Sequence, residues 1–274
     1  MSKRLEPAYV AEKVMQGRKY AAILPDLVTA ASILETPKTK KESEAVKRVK
    51  TILHQMVGAY LDTEMPFADW LVRLKQVEQA ERGAVCWEIL QHHASTRERL
   101  LEIDEFFAAV FAGIPAPSSV VDLACGLNPL ARPFMPLPAQ TLYTACDVHC
   151  PIVAFVEAAL KLMSFPVHAS PCNLGSDAAI PSADVVLLLK AIPCLERINK
   201  DIGRQLLSKI DAPLVVVTYP TTALGGSRRG MTRFYEDRFR RIVPLGRYEV
   251  ETRHFERELM FRLFRRQPKC EGTV

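Results

Sequence analysis

The chain has 274 residues, 49% hydrophobic and 24% charged, with a formal net charge of +5. This is the composition of an ordinary globular protein with core enough for one large domain or two modest ones, and no apolar run approaches the ~20 residues that span a bilayer, so a cytosolic protein is expected. Its seven cysteines, an odd number without CxxC spacing, argue against a disulfide framework or a zinc ribbon. Cys125, Cys146, Cys172 and Cys194 therefore read as small core residues.

Charge is segregated along the chain. Residues 1–60 carry 11 Lys+Arg against 6 Asp+Glu, residues 61–224 carry 12 against 18, and residues 225–274 carry 13 against 7. Basic ends flanking an acidic middle point to a polyanionic partner, because clustered cations bind phosphates with release of counterions.

Residues 1–115 repeat apolar side chains at three- and four-residue spacing and are expected to be helical. Ser95-Thr96-Arg97-Glu98 has the form of a capping box opening the helix RERLLEIDEFFAAVFAG. The Pro-rich break GIPAPSS (113–119) divides the chain into a helical domain, 1–115, and a second domain, 116–274. Beyond it, SVVDLAC (119–125), LYTACDV (142–148), ADVVLLLKAI (183–192) and APLVVVTYP (212–220) are short apolar runs separated by helix-like segments. That alternation predicts a doubly wound α/β fold with a mostly parallel sheet. RYEVETRHFE and ELMFRLFRR are nearly contiguous and are expected to close it as an antiparallel hairpin.

The first strand runs into Asp122-Leu-Ala-Cys-Gly126-Leu-Asn-Pro, the Gly-containing corner at which doubly wound folds hold nucleotides. Asp147 ends the second strand, where a carboxylate accepts hydrogen bonds from both ribose hydroxyls. The loop lacks the GxGxxG of a dinucleotide site, and Asp122 would repel a pyrophosphate but suit a cationic sulfonium. A methyltransferase is therefore favoured over an NAD enzyme.

DLACGLNP, LLLKAIPCLE, TYPTTALGGSRRGM and HHASTRERL resemble the aminoglycoside-resistance 16S rRNA methyltransferases, which modify N7 of guanine 1405, over residues ~90–265. The resemblance implies a class I, Rossmann-like seven-stranded domain that uses S-adenosyl-L-methionine, with a helical front end that docks on the 16S rRNA decoding site of the 30S subunit. It further implies that Ala124, Cys125 and Gly126 line the methionine part of the cofactor, that Asp147 and Val148 hold the ribose edge, and that Arg99 pairs with the methionine carboxylate. Asn173 and Leu174, where the family usually has Asp-Leu, would meet the adenine, with Leu189 on the cofactor wall. Outside the resemblance, Arg99 is a helix-surface charge paired with Glu98 or Glu102, Asp147 a cap of the helix near Pro151, and Asn173 a turn residue.

Guanine N7 presents an in-plane lone pair, so no general base is needed and the missing element is a grip on the base. Lys190, ending a strand, is the candidate donor to guanine O6 or phosphate, and Tyr219 the candidate aromatic face for an extruded base. Arg228, Arg229 and Arg233 are expected to contact phosphates, with Tyr235 free to stack and Phe234 expected in the core. In the front half, Arg18, Lys19, Lys38, Lys40, Lys41, Lys47, Arg48 and Lys50 would form the docking surface, by shape and phosphate contact. His92, His93 and His149 form no ligand cluster, so no metal is expected, and the protein is taken as a monomer. A methyltransferase of another rRNA base and a catalytically silent RNA-binding factor remain open alternatives.

Overall fold

The computed structural model describes residues 5–61, 65–176, 179–221 and 231–266. Seven strands form one sheet: β1 (Ser119–Leu123), β2 (Leu142–Asp147), β3 (Val167–Pro171), β4 (Val185–Leu189), β5 (Leu214–Pro220), β6 (Tyr248–His254) and β7 (Glu258–Arg265). Their order is β3-β2-β1-β4-β5-β7-β6, with β7 alone antiparallel to β5 and paired with β6 as the expected hairpin. The central strand, Val-Val-Leu-Leu-Leu, is buried at every residue, as a strand covered on both faces must be. β3, Val-His-Ala-Ser-Pro, is a half-exposed edge strand, which is why it leaves no apolar run to read.

The cores do not follow the expected division at residue 115. Helices Pro7–Met15, Pro25–Glu35 and Glu42–Leu53 enclose a core of their own, from Val10 and Val14 through Val28 and Ala31 to Val49 and Leu53. Helices Phe67–Gln76, Arg82–Leu90 and Ile103–Phe111 instead pack Trp70, Leu74, Phe106 and Phe107 into the core that covers one face of the sheet. Helices Ile202–Lys209 and Met231–Ile242 cover the other face. Helical periodicity gives no sign of which core a helix joins, and the packing changes from one core to the other between Val57 and Leu61.

The N-terminal lobe is tied to the carboxyl end of β2. Leu24 N donates to Val148 O and Cys150 N to Ala22 O, each at 2.9 Å. Two local expectations are corrected. The segment from Ser95 forms no capping box: His93 is the N-cap of the short helix Ala94–Arg97, and Thr96 Oγ1 donates to the carbonyls of Leu90 and His93. Cys146 and Cys172 form a disulfide joining the ends of β2 and β3, not two separate core thiols. Cys86, Cys125, Cys150 and Cys194 are free.

Candidate cofactor and active site

A cleft opens at the carboxyl ends of β1, β2 and β4, beneath the N-terminal lobe. This is where doubly wound folds hold ligands. Leu27, Val148, Ile152 and Leu174 give it apolar walls, Asp147 lines it too, and Arg99, Asn128 and Lys190, joined through Glu258, make a polar end. Ala124, Cys125, Gly126 and Leu189 line the same cleft.

The loop after β1 is shaped for close approach. Ala124 (φ 54°) and Gly126 (φ 51°) both take left-handed backbone. A Cβ on Gly126 would lie 2.7 Å from His93 Nε2, so the loop and His93 are in contact with no room between them. Gly126 N donates to Asp147 Oδ2 and His149 N to Asp147 Oδ1, both at 2.9 Å. Burial raises the Asp147 carboxyl, and those two backbone donors oppose the rise. Asp147 does not cap the following helix, since its N-cap is His149, whose Nδ1 accepts from Ile152 N.

The polar end is a buried charge network. Arg99 is 4% exposed and pairs with Glu258 of β7, neither Glu98 nor Glu102: Nε donates to Oε2 at 3.2 Å and Nη2 to Oε1 at 2.7 Å. Nη1 donates to Asn128 Oδ1 at 2.8 Å. Glu258 thus takes the Nε–Nη2 side of the guanidinium and Asn128 takes Nη1, so all three nitrogens are engaged and a ligand carboxylate would have to share the remaining N–H groups. Thr218 Oγ1 donates to Glu258 at 2.5 Å. Burial works to raise the Glu258 carboxyl, but the Arg99 and Lys190 charges and these hydrogen bonds outweigh it and hold it below the usual carboxylate range.

Lys190 also lines the cleft, and it is not a solvated strand end: its side chain is 3% exposed, with Nζ 2.7 Å from Glu98 and 3.3 Å from Glu258. Its backbone is left-handed, φ 57°, which a non-glycine residue takes only when its surroundings hold it there. Tyr219 is corrected more sharply. It is wholly buried, stacked on Tyr235 at 4.7 Å and edge-on to Phe239 and Phe261, and offers no face to an extruded base. Asn173 does not line the cleft: its Oδ1 accepts from Gly175 N and its Nδ2 reaches Asp26 of the N-terminal lobe, so the turn reading holds for it.

Asp122 is buried and does not line the cleft, so it is not placed to face a sulfonium there. Asn128 Nδ2 and Tyr143 Oη each donate to its Oδ2 at 2.8 Å, and burial pushes the carboxyl up to about 6 in spite of them. With a folded pKa above the unfolded ~3.9, the protonated acid favours the folded state fully below pH ~4, and this contribution is lost as pH rises through about 6. Asp122→Asn keeps the acceptor without the charge. Relative to wild type it should gain stability between pH 4 and 7, by an amount of order 2 kcal/mol, in denaturant melts at the two pH values.

Sequence reasoning missed Glu258, Asn128, Leu27, Tyr60 and His93. The last two form the remaining wall, their rings stacked 6.0 Å apart, with Tyr60 Oη 3.0 Å from Cys194 Sγ. Burial, then the Arg99, Lys190 and Arg97 charges, push His93 down to about 3, so it is a neutral imidazole beside the loop. An HHASTRERL motif gives the only sequence signal for it.

Of the expected docking cations, Arg18, Lys19, Lys40, Lys41 and Lys47 are exposed, and Lys50 is half-buried. Lys38 and Arg48 are both engaged by the buried Glu35, at 2.6 and 3.0 Å. Arg233 is exposed on helix Met231–Ile242, while Arg228 and Arg229 lie outside the described residues. Phe234, expected in the core, is 57% exposed.

Among the described residues no group of His, Cys, Asp and Glu could hold a metal ion, and no helix is long and apolar enough to cross a membrane.

Residues 16–260 match the ribosomal RNA methyltransferase (FmrO) family profile. The 16S rRNA (guanine(1405)-N(7))-methyltransferase of Frankia casuarinae is 40% identical over 240 residues, 84% of each chain. That of Micromonospora echinospora is 34% identical over 238 residues, 84% of this chain and 86% of its own. The crystal structure of the 16S rRNA methyltransferase RmtF in complex with S-adenosyl-L-homocysteine superposes with a TM-score of 0.83 at 30% identity, covering 97% of this chain and all of RmtF. The match runs through the helical front end as well as the sheet, and on it the chain belongs to the FmrO family of ribosomal RNA methyltransferases.

Proposed function

We propose that this protein methylates N7 of guanine 1405 of 16S rRNA in the 30S subunit, with S-adenosyl-L-methionine as cofactor, and so confers aminoglycoside resistance. The observation that carries the cofactor assignment is the set of groups lining one cleft: apolar Leu27, Val148 and Leu174, the Asp147 carboxylate at the end of β2, and the buried Arg99. An adenine, a ribose diol and an amino-acid carboxylate need those three environments. When bound, the cofactor supplies a methyl group on positively charged sulfur. The chain's own part is to hold and exclude. Asp147 accepts from the ribose hydroxyls, Arg99 grips the carboxylate, and Leu27, Val148 and Leu174 keep water from the adenine. Neutral His93 lets a cationic sulfur lie beside it without repulsion.

Guanine N7 needs no deprotonation, so catalysis here is alignment of nucleophile and methyl. The wall next to Ala191 and Cys194, facing Tyr60, is where the base would enter, while Lys190 acts on Glu258 and not on the base. The protein would work as a monomer in the cytoplasm, where 30S subunits are. Incubation with methyl-labelled cofactor should label 30S subunits, weaken steeply with salt, and leave a short unstructured oligonucleotide unlabelled. Equal labelling of the oligonucleotide would remove the docking part of the proposal.

A further inference from the structure

Helices Ile202–Lys209 and Met231–Ile242 lie side by side, and an open notch runs between them, lined by Lys200, Arg204, Phe234, Arg238 and Arg241. Asp201 and Asp237 also line it, and Arg238 is held by Glu196 at 2.7 Å, which leaves Lys200, Arg204 and Arg241 as its exposed cations. Arg204 Nη2 donates to Arg241 O at 2.5 Å, fixing one helix against the other. Lys200 also lines the neighbouring groove, which carries Lys47 and Arg48 of the N-terminal lobe. The notch therefore continues the lobe's basic surface onto the catalytic domain.

What separates it from a merely solvated basic face is Phe234. A phenyl ring that is 57% exposed gains little from the core. Its edge rests on Tyr235 at 5.3 Å, and Tyr235 stacks on the buried Tyr219 at 4.7 Å, so the exposed ring is the outer end of an aromatic row anchored in the sheet. A rigid aromatic face bordered by cations is what single-stranded RNA binds, the base on the ring and the phosphates on the charges. A paired helix would not serve, because its bases have no free face.

We infer that this notch holds an unpaired nucleotide of the substrate RNA, its base stacked on Phe234 and its phosphates on Lys200, Arg204 and Arg241, and thereby helps fix the RNA beside the cleft. The inference rests on the rRNA methyltransferase function proposed above. Its test is equilibrium binding to 30S subunits across a range of salt, with S-adenosylhomocysteine affinity measured on every variant. Phe234→Ala should weaken 30S binding about tenfold without changing the salt slope, and Phe234→Trp should keep it. The double change Lys200→Gln and Arg241→Gln should weaken binding and lower the slope of log affinity against log salt by about two. All variants should bind S-adenosylhomocysteine as wild type does. Phe234→Ala binding 30S as tightly as wild type, Phe234→Trp losing as much as alanine, or an unchanged slope in the double variant would each overturn the inference. If the wild type itself binds S-adenosylhomocysteine but not 30S, the rRNA function fails with it. If wild type binds 30S and the variants match it, only the notch fails.

Discussion

Glu258→Ala should both destabilise the protein and strip it of cofactor affinity. Glu258 is 2% exposed and is the one carboxylate shared by Arg99 and Lys190, with Thr218 donating to it as well. Removing it leaves two buried cations and only Glu98, 20% exposed on its side chain, to answer them. Breaking a buried pair from one side typically costs about 3–5 kcal/mol, because the remaining charge stays desolvated without a partner. Urea unfolding should show a fall of that size. Calorimetric titration with S-adenosylhomocysteine should show an affinity loss larger than that for 5′-methylthioadenosine, which lacks the amino-acid end that Arg99 would hold. The pH dependence has a definite sign. The folded carboxyl sits below its unfolded value of ~4.3, so its contribution is present above that pH and lost as pH falls through the folded value. A variant with wild-type unfolding and affinity would show that Arg99 is positioned by something other than this network.

Gly126→Ala is the second large effect. Backbone strain alone does not forbid it, since Ala124 takes nearly the same φ two residues earlier. The obstacle is His93: the added Cβ would sit 2.7 Å from Nε2 and 2.9 Å from Cε1 of a ring already stacked on Tyr60. Either the loop or the imidazole must move, and the loop's N–H at Gly126 is the one that fixes Asp147. Cofactor affinity should fall about tenfold or more, in line with a lost charge-assisted hydrogen bond. Adding His93→Ala should recover part of the loss, a coupling that a double-mutant cycle measures directly. Additive losses in the double variant would place the damage elsewhere.

Much of this site was legible because it is local. The corner after β1 and Asp147 at the end of β2 follow from strand, turn and strand within a short stretch, and the structure places Ala124, Gly126 and Asp147 in one cleft as their positions imply. Arg99 was placed in that cleft by motif resemblance, but its partner was not, because Glu258 lies 159 residues away and only the hairpin's return brings them together. Lys190 and Tyr219 both end strands, a position that in sequence reads as exposed. Here the network closes over one and the helix Met231–Ile242 over the other. Phe234 and Tyr235 show the same limit in reverse: of two adjacent aromatics on a helix only one packs against the sheet, and periodicity alone did not say which. The disulfide, between residues whose spacing carries no motif, required the pairing of β2 with β3 to be seen.

The measurement that bears most directly on the central claim is the position of the methyl group. Purified protein would be incubated with 30S subunits and S-adenosylmethionine, and the RNA cleaved with borohydride and aniline at N7-methylguanine and read by primer extension. A single stop at guanine 1405, absent without cofactor, is the result this account predicts. A stop at another base would keep the fold and cofactor but contradict the substrate, and no stop with a protein that binds S-adenosylhomocysteine would contradict the proposed methyl transfer.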